Sequence, residues 1–445
     1  MTSDGRGDCR LSDLLQVKHG FAFRSAFFRD DPPGDILLTP GNFAIGGGFK
    51  SDKLKYYSGP VPEEYVLAEG DLLVTMTDLS KGGDTLGYPA LVPRPGDARY
   101  LHNQRLGKVV LKSGAPVERR FLYYLLCTRE YRHEVLAGAT GSTVRHTSPE
   151  RIARFQFHLP PLDQQRAIAH VLGSLDDKIE LNRRMNETME AMAQAIFRSW
   201  FADFDPVRAK AEGRQPIGMD AATAALFADS FEESVLVEIP QGWHCSALAD
   251  CIDMLGGGTP STDVPEYWGG GIPWISARDV TGAPGIYVTA TERAITRAGV
   301  ENSSTRVLPK DTTVITARGT VGAVALTGTD MAMNQTCYAI SGKPGFGPLY
   351  TFLALRQQVS ALRQNTHGTI FDTITRETFK RVSVAVPGEQ LRNLFETTVR
   401  PMADLILANQ YQSQTLAAIR DALLPKLMSG EVRVSEARSI AEARV

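Results

Sequence analysis

The sequence predicts an α+β protein made of two structurally similar domains separated by two long helices, which pair as an antiparallel coiled coil about a pseudo-twofold axis. Three observations lead there. The chain repeats itself, each repeat is rich in short strand-forming runs, and each repeat ends in a long apolar–polar pattern of helical period.

The repeat rests on matches that keep a common order. Pro160 and Pro387 lie 227 residues apart (387 − 160), in FQFHLPPLDQQ and VSVAVPGEQ. At that spacing Glu150 falls on Glu377, Phe155 on Val382 and Phe157 on Val384. The repeat starts match at 237 (248 − 11), where Leu11, Asp13 and Gly20 meet Leu248, Asp250 and Gly257. In the middle, Gly70-Asp71-Leu72 resembles Lys310-Asp311-Thr312, and Asn103-Gln104 resembles Asn334-Gln335. A drifting offset means loop insertions between shared elements.

Within each repeat, β-favouring runs bounded by Gly, Pro, Asn or Asp predict strands. They fall at 36–39, 72–77, 108–111 and 155–159, and again at 313–316, 322–326 and 382–386. One helix per repeat is expected, at 117–136 and at 349–364, packed on a twisted mixed sheet.

After each repeat, apolar residues step by four and three. Ile168, Leu172, Leu175, Ile179, Met189, Ile196 and Trp200 form the first seam, and Phe395, Val399, Ile406, Leu416, Leu423 and Leu427 the second. Asn182 and Asn409 occupy the same layer, where a buried amide fixes register at some cost in stability. Two amphipathic helices, each packed on its own domain, would give a similar pattern. A helix of about 35 residues spans roughly 50 Å. Pro401 should kink the second helix or delay its start.

Composition sets bounds. The 445 residues are 43% hydrophobic and 22% charged, enough to bury cores without staples. No apolar run approaches a membrane span, and residues 1–10 lack the apolar stretch of a secretion signal. The five cysteines include no CxxC pair, which argues against a disulfide framework or a zinc knuckle and fits a reducing cytoplasm. The net charge of −2 conceals an uneven distribution: about +3 over 1–160, about +1 over 245–386, and about −6 between them. Two weakly basic units flanking an acidic connector permit nucleic-acid binding.

At this point the residues resemble a family, the DNA specificity subunits of type I restriction–modification systems. The resemblance is carried by His19-Gly20-Phe21-Ala22-Phe23-Arg24-Ser25, by Gly257-Gly258-Thr259-Pro260-Ser261 with Ile272-Pro273-Trp274-Ile275-Ser276, and by Leu159-Pro160-Pro161-Leu162-Asp163-Gln164-Gln165. Phe197-Arg198-Ser199-Trp200-Phe201 through Val207 and Leu423-Leu424-Pro425-Lys426-Leu427 through Val432 extend it over nearly the whole chain. Gly388-Glu389-Gln390 departs from the expected Pro-Leu before Glu-Gln.

The resemblance implies a first target-recognition domain at 1–160, a central helical region at 161–205, a linker at 206–243, a second recognition domain at 244–388, and a distal helical region and tail at 389–445. It also implies a non-catalytic, cytoplasmic protein. Each domain reads half of a bipartite double-stranded DNA target, and the helices set the gap and dock two methyltransferase subunits. An endonuclease or translocase subunit is a further partner. No cofactor is expected in this chain. S-adenosylmethionine, ATP and Mg belong to the partner subunits.

Asp31-Pro32-Pro33-Gly34 approaches an amino-methyltransferase motif, but Gly34 cannot stack on a base. Gly46-Gly47-Gly48-Phe49-Lys50-Ser51 lacks the spacing of a phosphate loop. Both read as turns. No residues have metal-ligand or nucleophile–base spacing. A self-sufficient nuclease or methyltransferase is the alternative this disfavours. A pure protein-interaction scaffold is the other, and the distinct polar loops of the two repeats speak against it.

Base reading needs Arg, Asn or Gln at a groove edge, with Lys, Ser and Thr on phosphates and aromatics in support. The candidates in the first repeat are Phe23, Arg24, Ser25, Asn42, Lys50, Lys81, Asn103, Gln104, Arg105, Thr143 and Arg145. In the second they are Thr259, Ser261, Ser276, Arg278, Arg318, Thr320, Asn334, Gln335, Thr369 and Phe371. The paired Asn-Gln positions could equally satisfy loop backbone groups. Ile196, Phe197, Trp200, Phe201 and Phe204 exceed what one helix seam needs. With Leu423, Leu424 and Leu427 they are the partner-docking candidates, packing inside the chain being the alternative.

Overall fold

The computed structural model describes residues 7–51, 53–80, 82–94, 96–141, 144–235, 237–318, 320–365 and 374–444. The chain forms two compact units, one of residues 1–178 with 415–445 and the other of residues 179–414. Each long helix, Leu162–Phe201 and Glu389–Ser429, therefore contributes to both.

The first unit is closed by an antiparallel pair between Gly7–Arg10 and Gln156–Leu159. A one-turn helix, Leu11–Leu14, leads into an antiparallel sheet in the order Leu15–His19, Leu106–Leu111, Leu72–Thr75, Pro89–Leu91. A second sheet, of five short strands, contains a parallel pair, Asp35–Leu38 beside Tyr100–His102. The buried faces are aliphatic and aromatic: Leu38, Phe43, Leu73 and Leu106 on one side, and Phe23, Leu37, Tyr57 and Leu101 on the other.

The second unit repeats this register for register. His244–Ala247 pairs with Ser383–Val386, and Ile252–Gly256 with Cys337–Gly342. Thr313–Thr316 lies beside Cys337–Gly342 on one side and Val324–Thr327 on the other. The parallel pair recurs as Trp274-Ile275 beside Ala332-Met333. Both sequence offsets thus end on one object, the closing ladder: 7 + 237 gives 244, and 159 + 227 gives 386.

The middle match shifts by one residue. Gly70 N–H donates to Val92 O as Asp311 N–H donates to Thr327 O, and both residues have positive φ, 76° and 65°. Gly70 is therefore equivalent to Asp311, not to Lys310, because a left-handed turn sets this register. The expected helix at 117–136 is two helices, Arg119–Leu126 and Arg129–Ala137, with Thr128 capping the second through its hydroxyl. Its counterpart is one helix, Pro348–Asn365.

The second long helix starts at Glu389 and carries on through Pro401, so its start is not delayed. In the second unit the two long helices run antiparallel. Asn182 donates to Gln412 Oε1 (2.8 Å) and Ser413 Oγ (3.3 Å), Asn409 donates to Asn186 Oδ1 (2.9 Å), and Phe197 packs on Phe395. Adding 227 to Asn186 gives Ser413, and subtracting it from Asn409 gives Asn182, so the two amide contacts are each other's mirror across a local dyad. The buried amides thus bond across the helix pair within one layer.

Each helix is pinned to the domain before it. In the first unit the buried Gln165 donates to Pro116 O (3.0 Å) and Pro160 O (2.8 Å) and accepts from Glu118 N–H. In the second unit Arg392, at the equivalent place, donates to Gly345 O (2.8 Å) and Pro387 O (2.6 Å). These contacts account for the Pro-Pro-Leu-Asp-Gln-Gln signal and its altered distal copy.

The span 206–243 is folded. It holds helices Asp205–Ala211 and Ala221–Ala225 and the hairpin Phe231–Ser234 with Val237–Pro240. Phe227, Ile239 and Trp243 from this span pack against Phe197, Trp200, Phe201 and Phe395. Phe204, with φ 56°, turns the chain so that its ring meets Trp243. The apolar surplus expected to await a partner is accordingly spent inside the second unit, with Ile196 and Phe204 partly buried at its margin. Heptad counting misses this, because it cannot see the span after the helix folding back. Leu423 and Leu427 are likewise buried in the first unit, and Leu424 is half-buried. Among the described residues no helix is long and apolar enough to cross a membrane.

Candidate nucleic-acid interface

Parallel strands deliver their C-terminal ends to one edge of a sheet. In the first unit Leu38 and His102 sit side by side there, so the segments after them, beginning at Thr39 and Asn103, emerge together. Gly20 crosses the same edge. A Cβ there would fall within the Asn103 carbonyl, so only glycine fits. Phe21 N–H donates to His102 O (2.9 Å), and Gln104 N–H donates to Phe21 O (3.0 Å). Met76 N–H donates to Arg105 O (2.9 Å) and Thr147 N–H to Met76 O (3.0 Å). Segments around residues 21, 76, 103–105 and 147 are thus laced together by backbone hydrogen bonds, and Thr77 Oγ1 meets His146 Nδ1 (3.1 Å) beside them.

The second unit is built the same way. Ile275 and Met333 end the parallel pair, and a Cβ on Gly257 would meet the Asn334 carbonyl. Gly258 N–H donates to Met333 O (3.0 Å), and Ala317 N–H to Thr336 O (2.8 Å). The loops bearing Thr259, Ser276, Arg318 and Asn334 therefore share one edge.

The candidates divide by task. Arg24, Ser25, Lys50, Gln104 and Arg105 are exposed in the first unit, as are Thr259, Ser261, Arg278, Arg318, Thr320 and Gln335 in the second. Thr259 donates to Gln335 Oε1, and Arg278 reaches Glu292 (3.3 Å). Arg145 is half-buried, its strand paired with Asp78.

Others hold the frame. Phe23 is buried edge-on against Tyr57 (4.8 Å) and offers no face to a base. Asn42 is fully buried, accepting from Thr39 N–H and donating to Lys50 O and Lys53 O. Its equivalent Asp279 accepts from Ser276 N–H (2.8 Å), making Ser276 a helix cap. Asn103 Oδ1 accepts from Arg105 N–H (2.9 Å) and Asn334 Oδ1 from Thr336 N–H (3.0 Å), the same side-chain turn in both repeats. Each Asn thus shapes the backbone, and the following Gln points outward. Lys81, Thr143, Thr369 and Phe371 lie outside the described residues.

Three features could not be read from the sequence. The turn 78–85 is organised by Asp78, whose carboxylate accepts from Ser80 N–H (2.6 Å) and from the Thr85 N–H and hydroxyl. Burial opposes the charge, but these hydrogen bonds outweigh it and hold Asp78 below the usual carboxylate range. His102, buried beneath the edge, is pushed down to about 4 by burial, so a neutral ring meets Leu106 O (2.9 Å). The third is Arg293, whose guanidinium carbon lies over Trp268, 3.5 Å from the ring centroid, a cross-strand meeting with no local signal.

The two motifs with an enzyme-like look are turns. Gly34 leaves no room for a side chain against the Tyr57 backbone, and Gly46, Gly47 and Gly48 all have left-handed φ. Among the described residues no three His, Cys, Asp or Glu side chains gather as a metal site.

A duplicated scaffold that laces polar and cationic loop tips onto two separate sheet edges defines a class: a recognition protein with two related, non-identical reading surfaces. Comparison makes this specific. The family described as type I restriction modification DNA specificity domain matches residues 7–191 and 240–393, and the chain belongs to that family. It recognises a DNA target and assembles with other subunits, and as a specificity subunit it is not itself an enzyme.

The chain is 28% identical over 404 residues to the type I restriction enzyme HindI specificity subunit of Haemophilus influenzae, covering 79% of this chain and 87% of that one. It is 31% identical over 191 residues to the MjaIX specificity subunit of Methanocaldococcus jannaschii, 42% of this chain and 44% of that subunit. The crystal structure of the S subunit from M. genitalium shares the fold with a TM-score of 0.56 at 14% identity, covering 96% of this chain and 97% of that one.

Proposed function

We propose that each unit reads one half of a bipartite, asymmetric double-stranded DNA target, and that the two long helices fix the unspecified gap between the halves. The helices also dock two methyltransferase subunits, which supply S-adenosylmethionine chemistry. A translocating, ATP- and Mg-dependent endonuclease subunit is the further partner, and the assembly works in the cytoplasm. The observation that carries this reading is the equivalence of the ladders: the closing ladder and the parallel pair of the first unit recur in register in the second, while exposed residues on the two edges differ. A shared frame with different tips suits two different base sequences read in one manner.

Matched seven-residue insertions at Arg184 and Tyr411, which are equivalent positions (411 − 184 = 227) on the two long helices, test the spacer role. Two added turns lengthen the pair by roughly 10 Å, or about three base pairs. The expected result is an unchanged pair of half-sites with a gap longer by about that much. Altered half-sites with an unaltered gap contradict the reading.

A further inference from the structure

We infer that Arg293 is a base-reading residue of the second unit, a fixed two-pronged donor to a guanine edge, held in place by Trp268 and Trp274. The inference rests on the DNA-recognition role of that unit and adds the residue and the base it selects.

Arg293 opens the strand Arg293–Ile295 and stands opposite Trp274. Its guanidinium carbon is 3.5 Å from the centroid of Trp268 and 5.7 Å from that of Trp274. The two indoles meet edge to face at 5.1 Å. Each indole is anchored by a hydrogen bond. Trp274 is buried and donates to Gly258 O (3.1 Å), and Trp268 donates to Ser261 O (3.0 Å). Both acceptors belong to the loop that carries Thr259 and Ser261 on the reading edge.

The side chain is exposed, and the neighbouring Glu292 carboxylate pairs with Arg278. Among the described residues no carboxylate pairs with Arg293. Stacking holds one face of a guanidinium and leaves its in-plane N–H groups available. A cation meant only for phosphate has no need of a fixed plane. Two parallel donors in a fixed plane are what the O6 and N7 atoms of guanine accept.

The first unit supplies a second, independent observation. Leu37 is the equivalent of Trp274 at the 237 offset, and its N–H donates to Lys55 O (2.8 Å). Lys55 therefore stands where Arg293 stands, exposed, beside the cluster of Phe23, Leu37, Tyr57 and Leu101. The supporting residues differ between the repeats, but the cation at this ladder position persists.

The test uses the full chain assembled with its methyltransferase partner, with Arg293→Lys, Arg293→Ala and Trp268→Leu compared by the methylated motif and by binding to single-base variants of that motif. The expected result is relaxed preference at one guanine-containing position of the second half-site, with discrimination there falling on the order of 10- to 100-fold. Arg293→Lys should not rescue it, and Trp268→Leu should weaken the same position. The first half-site, unchanged in all three, serves as the control for folding. An unaltered motif overturns the inference. So does an affinity loss spread evenly over all sequences with a salt slope reduced by about one, which marks a phosphate contact. A wild-type complex with no second half-site overturns the recognition reading itself, and the inference with it.

Discussion

Gly257→Ala is expected to abolish reading of the second half-site while the first is read normally, and Gly20→Ala is expected to do the converse. The reason is steric and local. At each position the missing side chain is replaced by a backbone carbonyl, that of Asn334 against Gly257 and that of Asn103 against Gly20. A side-chain neighbour could rotate away, but a carbonyl moves only with its strand end. That strand end carries the Asn turn and the outward Gln, and it sits beside the next loop through the bonds from Ala317 or Met76. Overpacking of this kind costs about 1–3 kcal/mol and is relieved by displacing the loops. The displaced tips lose at least one or two base contacts, a loss of discrimination on the order of 100-fold at that half-site. Motif mapping of the two single variants, with melting curves to confirm folding, reads the outcome. Loss of both half-sites by either variant would show that the edges are not independent.

Asp176→Ala is expected to destabilise the first unit by about 2–4 kcal/mol and to leave the second largely untouched. Asp176 lies on the first long helix and takes two bonds, from Tyr124 Oη (2.6 Å) and Arg420 Nη1 (2.7 Å). Tyr124 belongs to the recognition domain, where it is buried, and Arg420 belongs to the second long helix. The Asp176 and Arg420 side chains are 23% and 30% exposed, so the loss leaves the buried Tyr124 hydroxyl without its acceptor and Arg420 with only the exposed Asp421 as its counter-charge. The equivalent layer of the second unit needs no such group, since 176 + 227 is Ala403 and 420 − 227 is Ala193. All four tryptophans lie between residues 200 and 274, so indole fluorescence follows the second unit. Amide exchange across residues 119–178 should accelerate strongly while the fluorescence transition barely moves. Equal shifts in both would mean that the network does not act locally.

Much of the fold was legible in the sequence because the conserved features of the repeat are the ones that packing constrains. Leu11 and Leu248, Pro160 and Pro387, and the Asn182–Asn409 layer all sit where burial or register leaves little choice. The register slipped where residue type and backbone disagree. Asp71 and Asp311 share a side chain, but Gly70 and Asp311 share the left-handed turn. Thr128 divides a helix whose apolar pattern reads as continuous.

The site was legible only in part, for a different reason. A polar loop residue looks the same in sequence whether it caps a helix, turns the backbone or faces solvent. Asn42, Asn103, Ser276 and Asn334 satisfy neighbouring main chain, while Gln104 and Gln335, one residue on, are exposed. Arg293 carried no local signal because its support comes from strands and a loop more than a dozen residues away.

The central claim is that each unit reads one half-site independently of the other. It is tested most directly by mapping methylated positions across a genome when this chain is co-expressed with its methyltransferase partner, before and after residues 1–160 are exchanged for those of a relative with a different target. The account predicts a bipartite motif that is lost without this chain. On exchange, one half should change, with the other half and the gap unchanged. Changes on both sides of the gap, or no motif from a stably assembled complex, would contradict it.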